Sequence, residues 1–180
     1  MSGTLNGIFV SIRDGEAFVR LAGRGSYQNA QPFRRWLQEQ IGEDFQCLHV
    51  DLAQCQGMDS TFLGLLAGFG LKRGDKQQLH IFSAGDRHLK SCLSLGLDRL
   101  ARIDPMLPND PVFQPPPDSE FRQLPDTDLT ALKKPADSIG AAQMMLQAHE
   151  DLCLMDERNE PKFKDVKQLL REEISRNSDD

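Results

Sequence analysis

Two adjacent hydroxyl side chains, Ser60 and Thr61, directly follow the carboxylate of Asp59, and this group could carry chemistry in two ways. A serine acts as a nucleophile when a base lies beside it, or it accepts a phosphoryl group from another enzyme. The sequence gives Ser60 neither the G-x-S-x-G elbow of a nucleophilic serine nor an obvious histidine partner. We therefore predict a modification site, and not an enzyme.

Asp51 is a rival phosphoryl acceptor, because it lies at the end of an apolar run that is typical of a strand. A response-regulator receiver would also need a pair of acidic residues closing its first strand. Arg13 and Asp14 stand there instead and are not such a pair. The sequence thus favours Ser60 over Asp51.

The cysteines and histidines do not have the spacing of a metal site. No C-x-x-C pair occurs, and the four cysteines and four histidines are scattered widely along the chain. We therefore predict no metal and no cofactor. The residues concerned are Cys47, Cys55, Cys92, Cys153, His49, His80, His88 and His149.

A strand and a helix position Ser60. Residues 47–52 alternate between apolar and polar as in a strand, and a loop is predicted at residues 53–57. The next apolar residues recur at the i, i+3, i+4 and i+7 spacing of an amphipathic helix. They are Phe62, Leu65, Leu66 and Phe69. Asp59 is placed to cap this helix, which makes Ser60 its first residue.

The outward side of this helix is small and partly apolar, whereas a solvated face would carry charges. Gly64 and Gly68 each cost about 1 kcal/mol relative to alanine inside a helix, so we expect something to pack there. A neighbouring helix or loop of the same domain could cover this face, but we favour docking of another protein. The predicted partner-binding residues are Asp59, Ser60, Thr61, Leu63, Gly64, Ala67 and Leu71.

The motif Met-Asp-Ser-Thr-Phe-Leu-Gly at residues 58–64, after a buried strand and opening a helix, resembles the phosphorylation site of STAS domains. Bacterial anti-sigma factor antagonists are the most similar in kind. The resemblance implies that Ser60 is phosphorylated by an anti-sigma factor kinase, with Thr61 as the alternative acceptor. Phe62 departs from the pattern, because many members of the family have glycine there.

The resemblance also implies a function. An unphosphorylated antagonist captures a GHKL-type anti-sigma factor serine kinase and so releases a sigma factor, whereas the phosphorylated form lets go. A PPM-type serine phosphatase is the implied partner that resets the switch. The alternative is a STAS scaffold or ligand-sensing module that regulates a signalling assembly.

The first 104 residues alternate strands and helices in the order β-β-α-β-α-β-α. Asp14 and Gly15 form the turn of a hairpin, a helix follows at 31–41 with Pro32 in its first turn, and Asp86 is the predicted cap of the last helix. The inward residues of that helix are predicted to be Leu89, Cys92, Leu93 and Leu95. This order is that of STAS domains, and we predict an α/β fold with a mixed sheet of four to five strands.

Three regions are predicted. A STAS domain at 1–104 is followed by a linker at 105–136, since eight of the ten prolines lie between residues 105 and 135. A helical hairpin is predicted at 137–180. Because so small a pair of helices buries little by itself, we expect it to dock on the first domain, to self-associate or to bind a partner. The first domain should fold without it.

Composition narrows the classes of partner. The chain is 39% hydrophobic and has a net charge of −6, and it shows no basic patch with interleaved aromatic residues. We therefore predict no binding to nucleic acid. No apolar run approaches the roughly 18 residues of a membrane span, and the first residues lack the core of a signal peptide, so we expect a cytoplasmic protein without a membrane partner.

Overall fold

A mixed β-sheet with helices on one face organises the chain. The computed structural model describes residues 6–40, 46–75, 78–109, 113–125 and 135–178. The strands are β1 (Gly7–Arg13), β2 (Glu16–Gly25), β3 (Cys47–Asp51), β4 (Cys55–Met58), β5 (Leu79–Phe82), β6 (Arg102–Ile103) and β7 (Arg122–Gln123). The helices are α1 (Tyr27–Gln40), α2 (Ser60–Arg73), α3 (Asp86–Leu95), α4 (Pro135–Met155) and α5 (Glu160–Ser178).

The strand order is β6-β5-β3-β2-β1-β7, and β4 pairs with the end of β2. β1 runs antiparallel to β2 and to β7, whereas the pairs β2–β3, β2–β4, β3–β5 and β5–β6 are parallel. The prediction of a mixed α/β fold is confirmed. The sheet is larger than the predicted four to five strands, because β4 begins in the predicted loop and β7 lies within the predicted linker.

The core lies between the sheet and the helices. Alternate residues of the four central strands share one face, as the pairs Val19↔Val50 and Val50↔Ile81 illustrate. Phe33 of α1 and Phe62 of α2 stack on each other over this face, with ring centroids 5.2 Å apart, and both are fully buried. Apolar burial on this side supplies most of the driving force for folding.

The opposite face of the sheet is covered by residues 113–125, here called the strap. Phe113 packs against Phe18, His49, His80 and Phe82 of three neighbouring strands. At the other end of the strap, β7 pairs with β1 and Leu124 is buried in the core. This part of the predicted linker is therefore packed against the domain.

Three helix starts differ from their predictions, those of α1, α3 and α4. α4 begins at Pro135 and not at residue 137. α1 begins at Tyr27 and not at residue 31, because Ser26 caps it: its hydroxyl accepts a hydrogen bond from the Gln28 N–H at 3.3 Å. Pro32 consequently lies in the second turn, and the predicted end of this helix at Ile41 falls outside the described residues.

The last helix of the first domain, α3, is capped by Gly85 with no side-chain hydrogen bond, so Asp86 is its first residue and not its cap. Cys92 and Leu95 are buried as predicted, but Leu93 is 45% exposed. It lies next to Cys92 along the chain, about 100° around the helix, and so points away from the core.

The C-terminal helices α4 and α5 form an antiparallel hairpin that lies on α2. Leu152 and Met155 of α4 belong to the same core cluster as the sheet residues. Among the described helices, none has the length and apolar character needed to cross a membrane.

Candidate functional site

Asp59 holds the start of α2 and the start of α1 together. One carboxylate oxygen accepts a hydrogen bond from the Phe62 N–H and the other accepts one from the Tyr27 N–H, both at 2.9 Å. The predicted N-cap is confirmed. Because helix N-termini present unpaired N–H groups, one carboxylate here satisfies a donor of each helix. Ser60 is thereby fixed as the first residue of α2.

Ser60 has a histidine partner from the far end of the chain. Its Oγ lies 2.9 Å from Nε2 of His149 in α4. The other ring nitrogen, Nδ1, lies 2.7 Å from the Met145 carbonyl oxygen, which can only accept. Nδ1 therefore carries the proton of the neutral ring, and the Ser60 hydroxyl donates to Nε2. This pair was not predicted from the sequence, since 89 residues separate its members.

His149 is held in its neutral form. Its side chain is buried, with its ring centroid 4.9 Å from that of Phe163 on α5. Burial lowers the pKa of His149, and the nearby positive charge of Lys167 adds to this effect, while the Met145 carbonyl and the Asp59 carboxylate oppose it. A signal for its role was present in the sequence, because His149 interrupts the apolar pattern of α4 between Ala148 and Leu152.

The small face of α2 is covered by α4. A Cβ atom on Gly64 would overlap the backbone of Ala148, and one on Gly68 would overlap the Asp151 carboxylate. Leu63 and Ala67 are buried, and Leu71 packs at the border of the core. Gly64 thus allows the two helices to approach at backbone distance, and Gly68 leaves room for the Asp151 side chain. From the sequence, this face could be covered by an element of the same domain or by another protein. In the structure it is covered by α4 of the same chain.

Packing between α4 and the domain is incomplete at one place. A cleft of about 480 Å³ remains between α1, α2 and α4, and it is lined among others by Arg34, Gly68 and Asp151. Burial raises the pKa of Asp151, and a hydrogen bond from Gln147 at 2.9 Å partly offsets the effect. A partly desolvated carboxylate at the edge of this contact weakens it.

A second group of titratable side chains lies under the strap, on the opposite face of the sheet. Nδ1 of His49 is 3.2 Å from Nδ1 of His80, whose Nε2 donates to Asp104 at 2.8 Å. Burial lowers the pKa of His49 to about 4, and the neighbouring His80 contributes to the shift. A cleft of about 690 Å³ opens beside these rings, between Arg13 and Arg102. Phe113 of the strap forms part of its wall.

Asp51, the rival acceptor, also lies on the strap side of the sheet. Its carboxylate accepts a hydrogen bond from the Ala53 N–H at 2.9 Å and lies 3.5 Å from the Arg20 guanidinium. Arg20 in turn donates to Asp118 of the strap at 2.7 Å. The carboxylate of Asp51 therefore serves in a structural network between the sheet and the strap.

Comparisons with known proteins give a resemblance among solved structures alone. No family model and no curated protein matches the chain. Among solved structures, the chain is similar to a protein from Thermotoga maritima that is provisionally assigned as an anti-sigma factor antagonist. The two share 17% identity over 53% of this chain and 83% of that chain, with a TM-score of 0.46.

Proposed function

We propose that the chain is a phosphorylation-switched anti-sigma factor antagonist, which binds an anti-sigma factor serine kinase of the GHKL type through α2 and so frees a sigma factor. One observation carries the proposal: Ser60 stands at the first position of a capped helix, at the edge of a face that accepts another helix at backbone distance. A modifiable hydroxyl at the border of such a face is placed to control what packs there.

The switch is electrostatic. A phosphoryl group on Ser60 adds a charge of about −1.5 to −2. The N-terminus of α2 stabilises this charge by about 0.3–1 kcal/mol, whereas the adjacent Asp59 opposes it, so helix α2 itself tolerates the modification. A complementary apolar partner surface does not, because an unpaired buried charge costs several kcal/mol. A PPM-type phosphatase restores the binding form.

Ser60 is favoured over Thr61 as the acceptor. Thr61 is only 4% exposed, while Ser60 is half-buried at the end of the helix. A kinase must bring the acceptor oxygen into line with its phosphate donor, and the buried hydroxyl of Thr61 is the harder of the two to reach.

Phosphosite mapping on protein isolated from its own cells tests the proposal. We expect phosphate on Ser60 and co-purification of a GHKL-type kinase with the unphosphorylated form. Ser60→Ala should abolish the phosphate, while the matched control Ser94→Ala, at an exposed serine of α3, should leave it unchanged. Phosphate only on Thr61 would contradict the assignment, and large homotypic particles without a kinase would favour the STAS scaffold.

The Ser60–His149 hydrogen bond also suggests a second candidate, a hydrolase with a serine nucleophile. His149 is oriented by a backbone carbonyl and can accept the Ser60 proton, as a general base does. Catalysis additionally needs space for a substrate, and neither cleft described above includes Ser60 in its wall. We expect a fluorophosphonate probe to leave Ser60 unlabelled, and stoichiometric labelling would support the hydrolase.

A further inference from the structure

The hairpin α4–α5 contacts the domain at two places of different character. At the Ser60 edge, defined by Ser60, Gly64, Ala148 and His149, a side-chain hydrogen bond and two close-packed small residues hold the contact. At the turn end, defined by residues 152–159, apolar core residues and several hydrogen bonds hold it. The Ser60 edge can therefore separate from the domain while the turn end stays attached.

The Ser60 edge depends on the state of Ser60. The hydrogen bond needs the hydroxyl proton of Ser60, which a phosphorylated serine no longer has. The three added oxygens would also fall on the neutral ring of His149, which is buried between α2 and Phe163. The hairpin therefore faces the same obstacle at a modified Ser60 as a partner protein would.

The hairpin also blocks access to the edge. Ser60 is half-buried, and the Gly64 face beneath Ala148 has no room for a second helix while α4 is present. A protein that docks on this face, or a kinase that reaches Ser60, has to displace α4 first.

The turn end is built to stay in place. Asn159 is fully buried, and its amide donates to the Leu95 carbonyl at 2.8 Å and to the Leu152 carbonyl at 2.9 Å. Asp156 is also buried and pairs with Arg158 and Arg99. Such fully partnered buried groups tie the hairpin turn to α3.

We propose that the hairpin α4–α5 is an intrachain competitor for the partner-binding face of α2, released at the Ser60 edge while its turn end stays attached. The proposal rests on the function proposed above, and it specifies the partner's contact as a helix with a small residue opposite Gly64. The fraction of partner bound then depends on the affinity of the partner for this face of α2 relative to the affinity of the hairpin for the same face.

A competition experiment within the full chain tests this proposal. Ala148→Arg places a long charged side chain against Gly64 and should open the face, while the matched control Gln143→Arg adds the same charge at an exposed position of α4. The probe is a fluorescent peptide of residues 135–178. We expect Ala148→Arg to bind the peptide at least tenfold more tightly than the parent or the control.

Adding Ser60→Glu to Ala148→Arg separates competition from unfolding. If the peptide binds the vacated face, the added charge at its edge should weaken binding about tenfold. An unfolded chain would bind the peptide regardless of residue 60, and that result, like equal binding by Ala148→Arg and Gln143→Arg, would overturn the proposal. If either of these results were found while Ser60 carries phosphate in cells, the proposed function would still be supported and the competition by the hairpin would be wrong.

Discussion

The two ends of the hairpin contact are stabilised by different means. At the turn end, the side chains of Asn159 and Asp156 are buried and make the hydrogen bonds and ion pairs described above. They lie beside the apolar side chains of Leu152 and Met155. At the Ser60 edge, one hydroxyl-to-imidazole hydrogen bond lies beside a glycine–alanine contact. The turn end is therefore costly to separate from the domain, whereas the contact at the Ser60 edge can be altered by modification of one residue.

Deletion of every residue after Asp104, which removes both ends of the hairpin contact, should reduce stability the most. The sequence suggested that a chain ending at Asp104 folds, but Leu124, Leu152 and Met155 of the core all lie beyond it. At about 1.5–3 kcal/mol for each buried side chain, their loss approaches the whole stability of a domain. We expect no cooperative thermal transition for residues 1–104 by near-UV circular dichroism.

A chain ending at Pro125 is the control for this truncation, since it keeps β7 and Leu124 but lacks the hairpin. It should retain a weaker transition. A cooperative transition of the chain ending at Asp104, close to that of the full protein, would show that the hairpin and the strap add little to the core.

Asn159→Leu should destabilise the turn end by about 2–3 kcal/mol. The change removes both amide hydrogen bonds and leaves the Leu95 carbonyl without its side-chain donor in a buried site. Urea denaturation of the full chain measures the loss. A cost below about 1 kcal/mol would mean that the turn end is no stronger than the Ser60 edge.

Acidification should destabilise the protein and should affect the Ser60 edge before the turn end. His49 has its pKa lowered to about 4 by burial, so between pH 6.5 and pH 4 the unfolded chain binds a proton that the folded chain does not. Stability therefore falls as the pH drops, by about 2 kcal/mol at pH 5 for this residue alone. Urea denaturation at pH 7.5 and pH 5 measures the effect.

The two hairpin ends differ in this pH range. The pKa of His149 is also lowered by burial, so protonation disfavours its folded, buried state at the Ser60 edge. Hydrogen bonds from Arg158 lower the pKa of Asp156 to about 2, so the turn end keeps its charge pair down to pH 4. Hydrogen exchange should increase first in α4 near Met145. Equal increases in hydrogen exchange at the Ser60 edge and at the turn end would contradict the predicted difference between the two ends.

Ser60→Ala should have the smallest effect on stability, about 1 kcal/mol. It removes one half-buried hydrogen bond and leaves Nε2 of His149 without its donor. Urea denaturation beside Ser94→Ala, as the exposed control, measures the difference. A loss as large as that of Asn159→Leu would show that the Ser60 edge is a main anchor of the hairpin.

Local patterns in the sequence determined much of the site. The carboxylate of Asp59 as a cap and Ser60 as the first helical residue follow from residues within a few positions of each other. The same holds for the β-hairpin at Asp14 and for the two C-terminal helices. Capping and periodicity are local, so a single sequence reports them.

Only the tertiary structure decided what lies against each surface. Helical periodicity identified the small face of α2. A face with glycine and alanine suits a helix of the same chain as well as one of a partner, and the prediction from the sequence was a partner. The structure places α4 there, with His149 on Ser60. Likewise, Phe113 over His49 and the pairing of β7 with β1 join residues far apart in sequence. Such contacts depend on the three-dimensional path of the chain, which no local pattern encodes.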